Sequence, residues 1–118
     1  MSRTISRALG AALLASAAVI AGCGSGSSAP KNLNATIKIV NAKPAGGEQT
    51  LDVKKGGKIH LVVQSDTADE IHIHGYDFHK DVARNSSVTF DFPAKIDGQF
   101  IIELEAAKQE IAKLKVEP

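Results

Sequence analysis

Beyond residue 30, hydrophobic and polar residues alternate along most of the chain, a period of two that predicts strands rather than helices. Ala35–Val40 places Ile37 and Ile39 on one face, and Lys58–Gln64 sets Ile59, Leu61 and Val63 against Lys58, His60, Val62 and Gln64. Glu70–His74 opposes Ile71 and Ile73 to Glu70, His72 and His74 before Gly75 ends the run. Ser87–Phe92 turns Val88, Phe90 and Phe92 inward until Pro93 stops it. Gln99–Glu105 turns Phe100, Ile102 and Leu104 inward against Ile101, Glu103 and Glu105. Thr50–Val53, Tyr76–Val82 and Ile111–Glu117 are further short extended pieces, and Lys54-Lys55-Gly56-Gly57 and Asp97-Gly98 supply turn chemistry between runs. Only Ala106–Lys113 has helix-like composition. Seven or eight short strands at this spacing predict an all-β Greek-key sandwich over residues 31–118.

The first 30 residues follow another pattern. Arg3 and Arg7 precede an apolar stretch, Ala8–Ala21, that is too short to cross a hydrocarbon core of ~30 Å. It ends in Val19-Ile20-Ala21-Gly22-Cys23, which resembles the lipobox of bacterial lipoproteins. The resemblance implies a signal peptide over residues 1–22 and a lipidated Cys23 as the mature N-terminus. Gly24-Ser25-Gly26-Ser27-Ser28-Ala29-Pro30 then reads as a flexible tether, so residues 23–30 are expected to hold the domain off a membrane surface. The expected location is the extracytoplasmic face of the cell membrane, either periplasmic or extracellular.

Composition narrows the function classes. At 118 residues the chain has room for one domain. Fourteen Lys and Arg against 13 Asp and Glu leave no cationic excess for gripping phosphates. Aromatics make up 4%, with no Trp, so the stacking platforms of single-strand binders are missing as well. Nucleic acid is therefore not an expected partner. A single cysteine excludes an internal disulfide framework and any Cys-rich zinc module.

The order Leu51-Asp52-Val53-Lys54-Lys55-Gly56, Ile59-His60-Leu61-Val62-Val63 and Ser65-Asp66-Thr67-Ala68-Asp69-Glu70-Ile71-His72-Ile73-His74-Gly75-Tyr76-Asp77 resembles a cupredoxin-like domain. The type it is most similar to occurs in periplasmic iron-uptake proteins and actinobacterial lipoproteins. Phe90–Ala94, Gly98–Glu105 and Ile111–Pro118 look like its later strands, so the resemblance covers Thr50–Pro118. A blue-copper member needs a Cys, a His and commonly a Met around the loop before the last strand. The resemblance places these near Leu104, near Ala107 and near Ile111 or Ala112, and none of the three is present. Cys23 is the only cysteine and Met1 the only methionine, so a blue-copper electron carrier is not expected.

What the chain does carry is a histidine and carboxylate set. His72 and His74, two apart on a strand, point to the same face with Cβ atoms roughly 6.5–7 Å apart. The cupredoxin resemblance puts the strand bearing Glu103 and Glu105 beside theirs. Two His and a carboxylate then make a ligand set, which His79 or Asp77 past the Gly75 turn would complete. Imidazole and carboxylate without thiolate suit Cu(II), Zn(II) or Fe. The alternative is polar filling of a strand face, since charged cross-strand pairs stabilise by ~0.2–1 kcal/mol. His60 is expected to face solvent, and Asp69-Glu70 to be a solvated turn pair. No phosphate loop, Cys-x-x-Cys or His-Glu-x-x-His occurs, and Ser65, Ser86 and Ser87 lack a nucleophile elbow. A non-catalytic role is expected. Two readings stand: a lipoprotein that binds copper or iron, or an interaction module that docks a protein partner without metal.

Overall fold

A computed structural model of the protein describes residues 28–118, so the expected signal peptide, Cys23 and most of the tether lie outside the described residues. Those residues form nine strands and no helix. They are β1 (Leu33–Val40), β2 (Lys43–Pro44), β3 (Gln49–Lys54), β4 (Lys58–Ser65), β5 (Asp69–Ile73), β6 (Phe78–Val82), β7 (Ser86–Pro93), β8 (Gly98–Leu104) and β9 (Gln109–Glu117). One sheet runs β2-β1-β4-β7 and the other β3-β9-β8-β5-β6. Each is mixed, because β1 lies parallel to β4 and β3 parallel to β9 while the remaining pairs are antiparallel.

The period-two pattern explains the core. Ile37, Ile39, Ile59, Leu61, Val63, Phe90 and Phe92 of the first sheet pack against Leu51, Val53, Ile71, Ile73, Ile102, Leu104, Leu114 and Val116 of the second. Burying one such side chain contributes about 1.5–3 kcal/mol, so this layer dominates the stability. A bulge on β9 keeps the pattern in phase. Ile102 pairs with Ala112 and Glu103 with Glu110, which leaves Ile111 as the extra residue, fully buried.

The structure departs from the sequence pattern at one expected element and adds two details. Ala106–Lys113 contains no helix: residues 105–108 make a turn, with Lys108 at φ 51°, and the rest enters β9 between β8 and β3. Strand β2, unanticipated, is joined to β1 by a two-residue turn at Asn41 and Ala42, both at positive φ. Alanine stands where that turn favours glycine, which hides the hairpin from the sequence. Phe100 is inward-facing but only half-buried, at the open end of the sandwich against Tyr76.

Candidate metal centre

Strand β5 carries the site on the outer face of the five-stranded sheet. Because Ile71 and Ile73 point into the core, Glu70, His72 and His74 point away from it. Register then sets the neighbours: His72 lies opposite Glu103 of β8 on one side and opposite His79 of β6 on the other. The expected adjacency of the histidine strand and the Glu103 strand is therefore present.

Two turns bring in the remaining groups. Asp69, expected to be a solvated turn residue, accepts hydrogen bonds from the backbone N–H groups of Ala106 and Ala107, at 2.8 and 3.1 Å. Together with the Glu105 N–H donating to Glu70 O at 2.9 Å, this fixes the turn that presents Glu105 beside β5. Glu105 is thus a turn residue, not the last residue of β8. Beyond β5, Gly75 adopts φ 80°, and a Cβ there would lie 2.2 Å from the Phe100 ring. Only glycine satisfies both demands. The Tyr76 hydroxyl donates to Ile96 O at 2.9 Å and accepts from Ile96 N–H, tying the turn down and holding Asp77 near β5.

The three imidazoles form a stack. His72 lies between His74 and His79, with ring centroids 4.0 and 3.8 Å away and interplanar angles of 29° and 19°. Every ring faces a carboxylate. His72 Nδ1 is 2.5 Å from Glu105 Oε1, His74 Nε2 is 2.6 Å from Glu103 Oε1, and His79 Nδ1 is 2.8 Å from Glu70 Oε1. Asp77 Oδ1 lies 3.2 Å from His79 Nε2 and 3.5 Å from His72 Nε2. The side chain of His72 is only 14% exposed, which makes it the most enclosed of the three. Ligand atoms of His72, His74, Glu103 and Glu105 all fall within 4.8 Å of one another. His79 and Asp77 do not join that group; they form a second one with His72.

Electrostatically the face is short of positive charge. Among the described residues, Glu70, Asp77, Glu103 and Glu105 have only histidines as ion-pair partners. Next to them, Glu110 Oε1 is buried without a hydrogen bond, with Lys113 Nζ at 3.7 Å. Hydrogen bonds to Glu70 and then to Asp77 favour the His79 imidazolium and raise its pKa from the ordinary histidine value, against an opposing effect of desolvation. The raised folded-state value means that this pairing stabilises the metal-free fold below the ordinary histidine pKa. The contribution is lost as the pH rises through the raised value. NMR titration of the metal-free protein should show His79 titrating above a histidine in an unstructured peptide, and Glu70→Gln should bring it down. A wild-type value at or below the peptide value contradicts the pairing.

His60 stands apart, paired with Asp91 across β4 and β7 on the outer face of the other sheet. Sequence reading identified His72, His74, Glu103, Glu105 and His79 but not the part played by Asp69 and Glu70. Two carboxylates at a strand start carry no signal of the turn and the histidine they bind.

No protein-family model matches the chain, and no curated protein matches it. Solved structures do match its fold. A dithionite-reduced auracyanin from Roseiflexus castenholzii superposes with a TM-score of 0.59 at 13% identity, covering 77% of this chain and 100% of that one. A copper-binding protein in its apo form gives 0.58 at 14% identity, covering 78% and 97%. The metal-binding domain of the Cu(I)-exporting P-type ATPase CopA of Streptococcus pneumoniae, solved with Cu(I), gives 0.57 at 12% identity, covering 79% and 100%. The fold is a cupredoxin-like β-sandwich. A blue-copper centre does not fit it, however. Leu104, Ile111 and Ala112, positions at which the resemblance implies ligands of such a centre, are fully buried aliphatic core residues, and Ala107 lies in the turn after β8.

Proposed function

We propose that this protein holds a divalent metal ion, Cu(II) foremost, on the outer face of its five-stranded sheet through His72, His74, Glu103 and Glu105. The observation that carries the reading is the convergence of two imidazoles, one from β5 and one from the turn after it, with two carboxylates from β8 and its turn, one donor atom of each lying within 4.8 Å of the others. Such a donor set takes Cu(II) in preference to Zn(II) or Fe(II), whereas Cu(I) favours the thiolates and thioethers that residues 28–118 lack. A copper-binding protein of the same fold supports the choice of copper. Bound metal would neutralise the carboxylate cluster, and the Asp69 carboxylate and Glu70 carbonyl, which hold the turn, would keep Glu105 in place. The function is metal buffering or delivery outside the membrane, not electron transfer through blue copper.

Equilibrium dialysis of the purified protein against Cu(II), with elemental analysis, tests the reading. His74→Ala should remove the tightest-bound ion, and His60→Ala should leave the uptake curve unchanged. Uptake should also weaken on acidification, because protons compete for the imidazole nitrogens. If His74→Ala and His60→Ala both bind like the wild type, the proposal fails.

The same proposal places the protein on the extracytoplasmic face of the membrane, anchored by lipid on Cys23. Cys23→Ser removes the acyl acceptor and should release the protein from the membrane or leave it uncleaved. Intact-mass measurement of the wild-type protein from membranes should find a diacylglycerol adduct. A mature mass without it excludes the anchor.

A further inference from the structure

His72 has a carboxylate in front of each ring nitrogen: Glu105 at Nδ1, 2.5 Å away, and Asp77 at Nε2, 3.5 Å away. A neutral imidazole carries one N–H and serves one acceptor. Its other nitrogen then presents a lone pair to an oxygen lone pair, unless a proton or a metal cation lies between them. The Asp77 side is itself equipped for a cation. His79 Nδ1 is held by Glu70 Oε1 at 2.8 Å, which leaves Nε2, 3.2 Å from Asp77 Oδ1, as its metal-facing nitrogen. A carboxylate holding the far nitrogen of a ligating histidine is the arrangement that fixes ring orientation and tautomer in metal sites. Ligand atoms of His72, Asp77 and His79 lie within 4.8 Å of one another, as do those of the first group.

We infer that the centre is dinuclear: a second divalent cation is held by His72 Nε2, His79 Nε2 and Asp77, and the His72 ring bridges it to the first. This rests on the metal-holding role proposed above and extends it. Four carboxylates without a Lys or Arg partner among the described residues supply the negative charge that two cations need. When the second ion binds, the remaining N–H proton of His72 leaves to solvent, and the ring becomes an imidazolate bound at both nitrogens. No redox change is involved.

Dialysis of the purified protein against Zn(II), followed by elemental analysis, should find about two ions per chain. Asp77→Asn keeps the positive-φ backbone at that position, which asparagine tolerates, and removes one anionic ligand. It should leave about one ion, bound as tightly as the first ion of the wild type. His74→Ala should give the converse result, losing the first ion and keeping the Asp77-dependent one. With Cu(II), electron paramagnetic resonance should show full signal at the first equivalent. The intensity per copper should then fall at the second, as the two spins couple through the shared ring. A single ion in the wild type, with Asp77→Asn indistinguishable from it, overturns the second site. If His74→Ala still removes that ion, the single-ion function stands. Binding insensitive to both substitutions overturns both proposals.

Discussion

Replacing His72 by alanine is expected to bring metal uptake to background, a larger loss than any other single substitution in the centre should cause. The ring is ion-paired on both sides, meeting Glu105 through Nδ1 and Asp77 through Nε2. His74→Ala or Asp77→Asn removes a ligand from one side, whereas His72→Ala removes one from both. The side chain points away from the core, between Ile71 and Ile73, which are fully buried, so the fold should tolerate its loss. Unchanged β-sheet circular dichroism would show that it does. Retention of one tightly bound ion in a folded His72→Ala protein would mean that the ring is not shared.

The second large effect concerns stability. Phe90→Ala should lower the free energy of unfolding by about 3–5 kcal/mol, the range for truncating a buried aromatic residue. Phe90 is 2% exposed and lies opposite Leu61 in the β4–β7 register, facing the second sheet. Its ring also sits beneath Lys80 Nζ, 5.2 Å from the centroid. Small domains have only ~5–15 kcal/mol in total, so the variant should unfold at a much lower urea concentration. Glu105→Ala, in an accessible turn, should move the midpoint far less. Equal losses at Phe90 and Glu105 would contradict the inward and outward assignment of the strands.

Where the alternation was strong, the sequence was enough to place a strand. Ile59, Leu61 and Val63, or Ile71 and Ile73, announce both a strand and its buried face, because a slip of one residue would expose the whole set. The same rule put His72 and His74 on a common outer face. Long-range pairing was harder to see. Ala106–Lys113 has the intrinsic preference of a helix, yet Gln109–Glu117 is hydrogen-bonded between β8 and β3, and tertiary pairing overrides local propensity. The position of Glu105 depends on Asp69, and that of Asp77 on the fit of Phe100 over Gly75. Both are contacts between segments far apart in the chain. The stacking of the three imidazoles follows from a register, His72 against His79, that the sequence of β6 does not specify, because its residues are mostly exposed.

The central claim is that His72 and His74 ligate metal together with Glu103. X-ray diffraction from zinc-loaded crystals, recorded on either side of the zinc absorption edge, tests it most directly. The account predicts an anomalous peak about 2.0–2.1 Å from one ring nitrogen of each histidine, with a carboxylate oxygen of Glu103 in the same sphere. A loaded crystal with no peak there, or with its principal peak at His60 and Asp91, would contradict it.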